Sequence, residues 1–343
     1  MKVGIIGCGK IAQVRHLPEY ADNKDVEIGG LFDFNMERAG ALAAQYGGKA
    51  YASSDEMLAD PEIDAVSICV ANVAHAELSI KALNAGKHVL CEKPMAITLR
   101  ECYDMVDAAK KNGKILMIGQ NQRFTKAHQH AKKLIEDGAI GTPILFRTTF
   151  GHGGPETWSV DGGKNTWFFD KSKSSMGAMA DLGIHKTDLI QYLLNDRIVE
   201  TTAKVVTLDK RYEDGTLIGV DDNAVCIYRT QKGVLGTMTA SWTLYGEEDN
   251  STRICGTEGI MKIYENPAYS IEIVKRGGEK IFYEIEAIQT NDNQTKSGII
   301  DKFVEAVVSG QEPEASGENV LNAMKAVFAS VESSETGRAV EIK

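Results

Sequence analysis

The sequence lacks the features that place a protein in a membrane or on a nucleic acid. It contains no run of about eighteen apolar residues, the length that an α-helix needs to span a bilayer. Acidic residues outnumber basic ones, 48 to 38, and the net charge is -10. Nucleic acids and anionic lipid surfaces attract proteins with an excess of basic residues. We therefore expect neither a membrane span nor a nucleic-acid partner.

Cysteine spacing excludes two further classes of protein. The six cysteines are scattered along the chain and form no Cys-x-x-Cys pair. Domains that are stabilised by disulfide bonds or by structural zinc both have cysteines at short, repeated spacings. The scattered pattern is typical of free thiols in a reducing compartment. The opening MKVGIIGCGK already reads as a folded strand and turn and not as a signal peptide, so we expect a cytoplasmic protein.

The chain has 343 residues, more than one typical hydrophobic core holds, so two domains are expected. In the first third, short apolar runs alternate with helical patterns. The runs are Val3–Ile6, Val26–Phe32, Ala65–Val70, Val89–Cys91 and Ile115–Ile118. Alternation predicts parallel βαβ units, and strands that are apolar throughout predict a sheet covered on both faces. We predict a doubly wound α/β domain over residues 1–122.

The second half of the chain has a different pattern. Along residues 234–245, Val234, Met238 and Trp242 point one way and the threonines point the other, as in an antiparallel strand with one buried face. Helical patterns near 126–137, 176–194, 298–309 and 318–334 accompany a series of strands. We predict a C-terminal α+β domain with a large, mostly antiparallel sheet over residues 123–343.

A glycine-rich turn joins the first strand to the first helix. Gly7-Cys8-Gly9-Lys10-Ile11-Ala12 fits the pattern G-x-G-x-x-A. In this pattern Gly7 permits a tight turn, Gly9 lets a pyrophosphate approach the backbone, and the helix N-terminus faces the phosphates. Asp33 ends the second strand, where a carboxylate accepts hydrogen bonds from both ribose hydroxyls. The alternative is a turn without a ligand, but this context favours a Rossmann domain that binds a dinucleotide.

Asp33 also bears on the choice between NAD and NADP. Its carboxylate would repel a 2′-phosphate, and the next arginine along the chain is Arg38. Asp33 could instead cap the helix that starts near Asn35, and the two roles are compatible. NAD is the favoured cofactor and NADP the alternative.

Polar side chains follow several of the predicted strands, and ligands of doubly wound sheets bind beyond the carboxyl ends of the strands. Glu92-Lys93-Pro94 lies at such an end, and the proline restricts the backbone before it. Lys93 is either a solvated surface charge or an ammonium that donates to a substrate hydroxyl and stabilises a developing alkoxide. The other side chains predicted to contact the cofactor are Lys10, Ile11, Asn72, His75, Glu92 and Gln122. His75 could equally be part of the first turn of its helix.

A second polar cluster lies in the helical pattern of residues 176–194. Asp181, His185 and Asp188 are spaced i, i+4 and i+7, so they share one helix face. A lone helix histidine is more often a satisfied core residue, whereas one flanked by carboxylates is a base that titrates near neutral pH. A metal site is the competing interpretation. No HExxH motif or paired His and Cys spacing supports it, so no metal is expected.

Four further residues are candidates for the substrate pocket: Arg123, His152, Trp158 and Trp167. The loop Gly151–Pro155 follows a strand, and aromatic faces suit the C–H faces of sugar rings. The alternatives are loop packing for the aromatic residues and support of the cleft for Arg123. His128 and His130 look like a solvated helix face.

These motifs together resemble the Gfo/Idh/MocA oxidoreductase family. The matching segments are the glycine turn, Glu92–Pro94, Asn121–Phe124 and Asp181-x-Gly183-x-His185-x-x-Asp188. The resemblance covers essentially the whole chain, including the order of the two domains. It implies NAD(P)-dependent oxidation of a hydroxyl on a sugar, cyclic polyol or related compound, or reduction of the corresponding ketone.

The resemblance also implies residue roles, since Lys93, Asp181 and His185 match the family's catalytic positions. We expect His185 to take the hydroxyl proton, Lys93 to hydrogen-bond the same oxygen, and Asp181 to orient the substrate or the imidazole. Lys93 as the proton acceptor is the alternative. Glu92 is expected to bind the nicotinamide ribose or to position Lys93. A cis peptide at Lys93–Pro94 and a homodimer or homotetramer are further family-level expectations.

Two other functions stay open at this point. In an NAD-dependent glycoside hydrolase, transient oxidation assists bond cleavage and no net NADH forms. A non-catalytic NAD-binding regulator is the second alternative, although such a protein would be free to lose Lys93 or His185.

Overall fold

A computed structural model describes residues 1–288 and 296–343 and contains two sheets. The strands are β1 (Lys2–Ile6), β2 (Glu27–Phe32), β3 (Lys49–Ala50), β4 (Ala65–Ile68), β5 (His88–Cys91), β6 (Leu116–Ile118), β7 (Pro143–Gly151), β8 (Ile198–Val206), β9 (Asn223–Thr230), β10 (Leu235–Ser241), β11 (Thr252–Gly256), β12 (Gly259–Asn266), β13 (Tyr269–Lys275), β14 (Lys280–Tyr283) and β15 (Val340–Glu341). The α-helices are α1 (Leu17–Asp22), α2 (Met36–Tyr46), α3 (Ser54–Ala59), α4 (His75–Asn84), α5 (Leu99–Asn112), α6 (Lys126–Glu136), α7 (Lys171–Ser174), α8 (Ile184–Leu194), α9 (Ile299–Ser309) and α10 (Gly317–Thr336).

The chain divides into two compact units. The first is Met1–Asn121 with a C-terminal segment that ends at Leu321, and the second runs from Gln122 and takes in Asn322–Lys343. The first change of unit lies one residue from the predicted boundary. The segment up to Leu321 departs from the predicted range of 123–343.

Hydrogen bonds explain why that C-terminal segment belongs to the first unit. Ile118 N at the end of β6 donates to Ala315 O at 2.9 Å, which extends the edge of the sheet. Asn23 donates to Asp301 on α9 at 2.8 Å. A contact between residues so distant in sequence leaves no local signal, so the sequence pattern could not place this segment.

The sheet of the first unit is parallel, with strand order β3-β2-β1-β4-β5-β6. Every residue of β4 is buried, as expected for a sheet that is covered on both faces. α5 shows how the local sequence sets its helix: Thr98 and Glu101 form a capping box, and Gly113 ends the helix at φ 61°. The predicted doubly wound domain is confirmed.

The second unit contains a nine-stranded sheet with strand order β14-β13-β12-β11-β7-β10-β9-β8-β15. All neighbouring strands pair antiparallel except β10 and β7, which are parallel, so the predicted antiparallel strand at 234–245 has one parallel neighbour. Its alternation is confirmed, because Met238 and Trp242 are fully buried and Thr237 and Thr239 are half-buried. The mostly antiparallel sheet is therefore confirmed, as a mixed sheet.

Three of the four predicted helices of the second half match α6, α9 and α10 within two residues. The fourth, predicted at 176–194, consists of a π-helical turn, Met179–Gly183, that continues into α8. His128 on α6 is buried, with its ring 5.4 Å from the ring of Tyr264 on β12, so the prediction of a solvated histidine there is wrong. In the part of the chain that the structure describes, no helix is both long and apolar enough to cross a membrane.

Candidate active site

The two glycines of the first turn have different structural roles. Gly7 has φ +91°, and a Cβ there would lie 2.4 Å from the carbonyl oxygen of Cys69, so only glycine fits. A Cβ on Gly9 would meet no heavy atom of the described residues within 4 Å. Gly7 is therefore required by the fold itself. Gly9 leaves open space beside the backbone, the space that a pyrophosphate needs.

Asp33 lies beside the glycine turn. Its Oδ2 accepts from Cys8 N at 2.7 Å and its Oδ1 accepts from Asn35 N at 2.7 Å. Asn35, and not Asp33, caps α2, because the Asn35 side chain accepts from Arg38 N. Arg38 Nη1 lies 3.9 Å from Asp33 Oδ2. The carboxylate is fixed by two backbone amides, and each oxygen keeps a second lone pair for a ribose hydroxyl.

Glu92, at the end of β5, is held by a buried chain of hydrogen bonds. His16 Nε2 lies 2.9 Å from Glu92 Oε1, and His16 Nδ1 lies 3.1 Å from Ser67 Oγ, which contacts Tyr20 OH at 2.8 Å. Nε2–H of the imidazole donates to the Glu92 carboxylate, and Nδ1 pairs with the Ser67 hydroxyl. Glu92 Oε2 accepts from Lys93 N at 3.2 Å, so this chain reaches the backbone of the predicted catalytic lysine.

The same contacts set the charge of Glu92. Burial alone would raise the pKa of its carboxyl, but the hydrogen bond and charge of His16 and the charge of Arg15 outweigh burial and lower that pKa to about 2. Glu92 is therefore an anion at neutral pH. Sequence reasoning missed His16, Ser67 and Tyr20, because they come from two other segments and no spacing pattern links them to Glu92.

His75 supports the other side of the same strand tip. It is 1% exposed, and its Nδ1 lies 2.7 Å from Pro94 O. Burial lowers the pKa of the imidazole, whose other nitrogen, Nε2, lies 3.2 Å from Val70 O. The Lys93–Pro94 peptide is cis, as the family resemblance implied. Asn72, also predicted to contact the cofactor, is buried in the short 3-10 turn before α4.

In the second unit, Asp181 and His185 are both buried, at 7% and 6% exposure. Trp242 Nε1 on the fully buried indole donates to Asp181 Oδ2 at 3.1 Å, which fixes the carboxylate. Asp221 holds the start of this helical segment, because its two oxygens accept from Gly177 N and Met179 N at 2.7 Å. Sequence reasoning missed both Trp242 and Asp221 as parts of the site.

Asp188, predicted on the same face, has a different partner. Arg123 Nε donates to Asp188 Oδ2 at 2.7 Å and Arg123 Nη2 to Asp188 Oδ1 at 2.5 Å, a buried two-pronged ion pair. These contacts show that Asp188 pairs with Arg123. They also fit the supporting role for Arg123, and its contact with substrate stays a prediction.

Gln122 and His128 lie close to this ion pair in sequence and belong to a buried polar cluster. Gln122 Nε2 donates to Asn250 Oδ1 at 3.2 Å, and His128 Nδ1 donates to Gln122 O at 2.8 Å. The fully buried Lys186 donates to Asn250 O at 2.9 Å, and burial lowers the pKa of its ammonium to about 7. The contact between Gln122 and the cofactor stays a prediction.

The predicted aromatic residues of the second unit form one array of neighbouring rings. His152 and Trp158 are edge to face at 6.2 Å, and Trp158 contacts Phe168, which stacks on Trp167 at 3.9 Å. Phe150 joins the array to the predicted base, with its ring 5.9 Å from His152 and 6.0 Å from His185. The structure thus brings these substrate candidates together. Phe150 and Phe168 were missed, although each is the immediate neighbour in sequence of a residue that was singled out, Gly151 and Trp167.

Comparison with known proteins decides the family. Residues 1–120 match a family model described as an oxidoreductase family with an NAD-binding Rossmann fold, and residues 128–262 match the GFO/IDH/MocA C-terminal domain. Glucose-6-phosphate 3-dehydrogenase of Bacillus subtilis is 31% identical over 276 residues, which cover 80% of this chain and 71% of that protein. The chain belongs to the Gfo/Idh/MocA oxidoreductase family.

Other members of the Gfo/Idh/MocA family match over nearly their full length. Myo-inositol 2-dehydrogenase of Thermotoga maritima is 27% identical over 350 residues, which cover 100% of this chain and 99% of that protein. A levoglucosan dehydrogenase solved in complex with NADH and levoglucosan superimposes with a TM-score of 0.88 at 27% identity, covering 100% of this chain and 99% of that one. The chain is an NAD(P)-dependent dehydrogenase of this family that acts on CH–OH groups.

The residues of the first unit fit the cofactor of the Gfo/Idh/MocA family. The open space at Gly9 suits the pyrophosphate, and the fixed carboxylate of Asp33 suits the adenosine ribose. Across the described residues, no group of three or more His, Cys, Asp or Glu side chains is arranged to hold a metal ion.

Proposed function

We propose that the protein transfers a hydride between NAD and a hydroxyl of a sugar or cyclic polyol, in either direction. The observation that carries this proposal is the array of aromatic rings beside His185 in the second unit. Ring faces suit the C–H faces of a sugar, and the buried histidine and Asp181 supply polar groups for its hydroxyls. The named activities of the relatives, on inositol, glucose 6-phosphate and levoglucosan, support the same class.

The proposed roles follow from residue chemistry. A bound nicotinamide cofactor would supply the acceptor for the hydride that leaves the carbon bearing the hydroxyl. His185 takes the hydroxyl proton, and Lys93 donates a hydrogen bond to the same oxygen and stabilises its developing negative charge. Asp181, fixed by Trp242, orients the substrate or the imidazole. In the alternative division of labour, Lys93 takes the proton.

The remaining contacts are proposed from position. Gly7, Gly9, Lys10, Ile11 and Asp33 would contact the adenosine and pyrophosphate half of the cofactor. The nicotinamide half would be contacted by Asn72, His75, Glu92, Lys93 and Gln122. Arg123, His152, Trp158 and Trp167 would line the substrate pocket with Asp181 and His185.

We also propose that the enzyme is a cytoplasmic homodimer or homotetramer. Leu145, Val225, Ile227 and Leu235 are each between 47% and 49% exposed. They share one face of β7, β10 and β9, because Leu235 pairs with Leu145, and Thr237 and Thr239 on the same face pair with Ile227 and Val225. An apolar sheet face of this kind suits a second copy of the chain. The six free cysteines suit a reducing compartment.

The test is NADH absorbance with NAD or NADP and a panel of inositols, free sugars, sugar phosphates and aryl glycosides. NADH formation with one class would support the proposal. Glycoside release without NADH would instead favour the redox-assisted hydrolase. Binding of NADH without turnover across the panel would favour the regulator.

Variants of the histidine test the assignment of the base. His185→Ala should lower kcat about a hundredfold or more, because it removes the proton acceptor, and should leave the Kd for NADH unchanged. His130→Ala, at a half-buried histidine of α6 whose ring lies 4.8 Å from the ring of Tyr283, is the matched control and should keep full activity. Turnover of His185→Ala at the parent rate would refute the assignment.

A further inference from the structure

Gln120 lies at the carboxyl end of the parallel sheet, beside the strand tip that carries Glu92 and Lys93. Gly119 N donates to Cys91 O at 2.7 Å, which continues the pairing of β6 with β5 by one residue. A Cβ on Gly119 would lie 2.9 Å from Glu92 Oε2, so the two strand ends approach closely. Gln120 therefore follows β6 at the edge where ligands of such sheets bind.

The side-chain amide of Gln120 is buried and has no hydrogen-bond partner among the described residues. The residue is 1% exposed, and both Nε2 and Oε1 lack a partner. Buried polar groups are nearly always hydrogen-bonded, because leaving a donor or an acceptor unpaired costs free energy. Here one side chain leaves a donor and an acceptor unpaired together.

We propose that Gln120 recognises the carboxamide of the nicotinamide ring. Its Oε1 accepts from the carboxamide NH2 and its Nε2 donates to the carboxamide oxygen, because a primary amide is complementary to another primary amide. The pairing fixes the rotation of the carboxamide and, through it, the ring at the strand edge. This inference rests on NAD binding by the first unit and is independent of the proposed substrate.

Three ligands separate this role from a structural one. NADH carries the whole carboxamide. Reduced 3-acetylpyridine adenine dinucleotide keeps the carbonyl oxygen but replaces NH2 by a methyl group, and ADP-ribose lacks the ring altogether. Each ligand is titrated by fluorescence against the parent and against Gln120→Met and Gln120→Glu. Gln129→Met, an exposed glutamine on α6, is the matched control.

The parent should bind the acetylpyridine analogue about tenfold more weakly than NADH, because Oε1 of Gln120 is then left buried without a donor. Gln120→Met should bind NADH at least tenfold more weakly and should no longer distinguish it from the analogue. Gln120→Glu loses the Nε2 donor and should also weaken NADH binding. ADP-ribose should bind the parent and all variants within twofold.

Thermal unfolding without ligand gives an independent measurement. Methionine removes an unpaired amide, so Gln120→Met should unfold at the same temperature as the parent or higher. Equal weakening of NADH and ADP-ribose, or a lower unfolding temperature, would show that Gln120 supports the fold and would overturn the proposal. Unchanged discrimination between NADH and its analogue in Gln120→Met would overturn it too. Failure of the parent to bind ADP-ribose would instead refute cofactor binding by the first unit.

Discussion

His128 should make the protein less stable in mild acid, and His128→Asn should remove that effect. The imidazole is 1% exposed, its Nδ1 donates to Gln122 O, and among the described residues its Nε2 has no hydrogen-bond partner. Burial, reinforced by the charge of Lys186, lowers the pKa of the imidazole from 6.5 to about 3. A proton added at Nε2 would create a buried cation without an acceptor. The folded protein therefore keeps this ring neutral.

The size of the effect follows from the difference in pKa between the two states. In the unfolded chain, His128 becomes protonated as the pH falls below 6.5. In the folded protein, it stays neutral until the pH approaches about 3. The contribution to stability is complete above pH 6.5 and is lost progressively as the pH falls toward 3. Each pH unit within this window costs about 1.4 kcal/mol, so the loss between pH 7 and pH 5 is about 2 kcal/mol.

Urea unfolding at about pH 5, 6 and 7 measures this loss in the free energy of unfolding. Asparagine keeps a donor near the position of Nδ1 and does not titrate, so His128→Asn should lose about 2 kcal/mol less than the parent across that range. Other titrating groups are common to both proteins and cancel in the difference. Parallel stability curves for the parent and the variant would refute the reasoning, because His128 would then titrate equally in the folded and unfolded states.

Three further substitutions test the candidate active site. Gly9→Ala should change the free energy of unfolding by less than about 0.5 kcal/mol, because the added Cβ meets open space in the folded protein. The same methyl group would occupy the space proposed for the pyrophosphate, so the variant should bind NADH at least tenfold more weakly. An unchanged Kd for NADH would contradict this prediction. Asp188→Asn should cost about 3–5 kcal/mol in urea unfolding, because it leaves the buried charge of Arg123 uncompensated, and a loss below 1 kcal/mol would show that the pair is not essential. Trp242→Phe removes the donor to Asp181 and should lower kcat about tenfold at an unchanged Kd for NADH; full activity would exclude that positioning role.

The sequence was sufficient for features that are encoded locally. The glycine turn, the acid at the end of β2 and the strand-helix alternation each depend on neighbouring residues, and the structure has all three. The sequence could not predict side-chain contacts between residues that lie in distant segments of the chain. Asp188 was expected to flank His185 on one helix face, and the spacing gave no indication that its partner is Arg123, which is 65 residues away in sequence. His128 was expected to be solvated because its helix is polar, but the ring of Tyr264 covers it.

Both units also contain a departure from regular helix geometry at the candidate site. The first helix of the first unit contains a π-helical turn at Ala12–His16, and the helix of the predicted base contains another at Met179–Gly183. A π-turn accommodates one extra residue, so the side chains that follow it leave the 3.6-residue period on which helix patterns depend. The first turn ends at His16, which reaches Glu92, and the second contains Asp181, which receives the hydrogen bond of Trp242.

In each unit, a π-helical turn therefore contains a polar side chain of the candidate site, His16 in the first unit and Asp181 in the second. An i, i+4, i+7 stripe assumes an unbroken α-helix, and at Asp181 that assumption fails within the stripe itself. π-turns of this kind are frequent at functional sites, because the wider turn re-aims a side chain that the regular helix would keep in line. The π-turns at Ala12–His16 and Met179–Gly183 thus fit the proposed assignment of both segments to function, because each contains a polar side chain that contacts another residue of the candidate site.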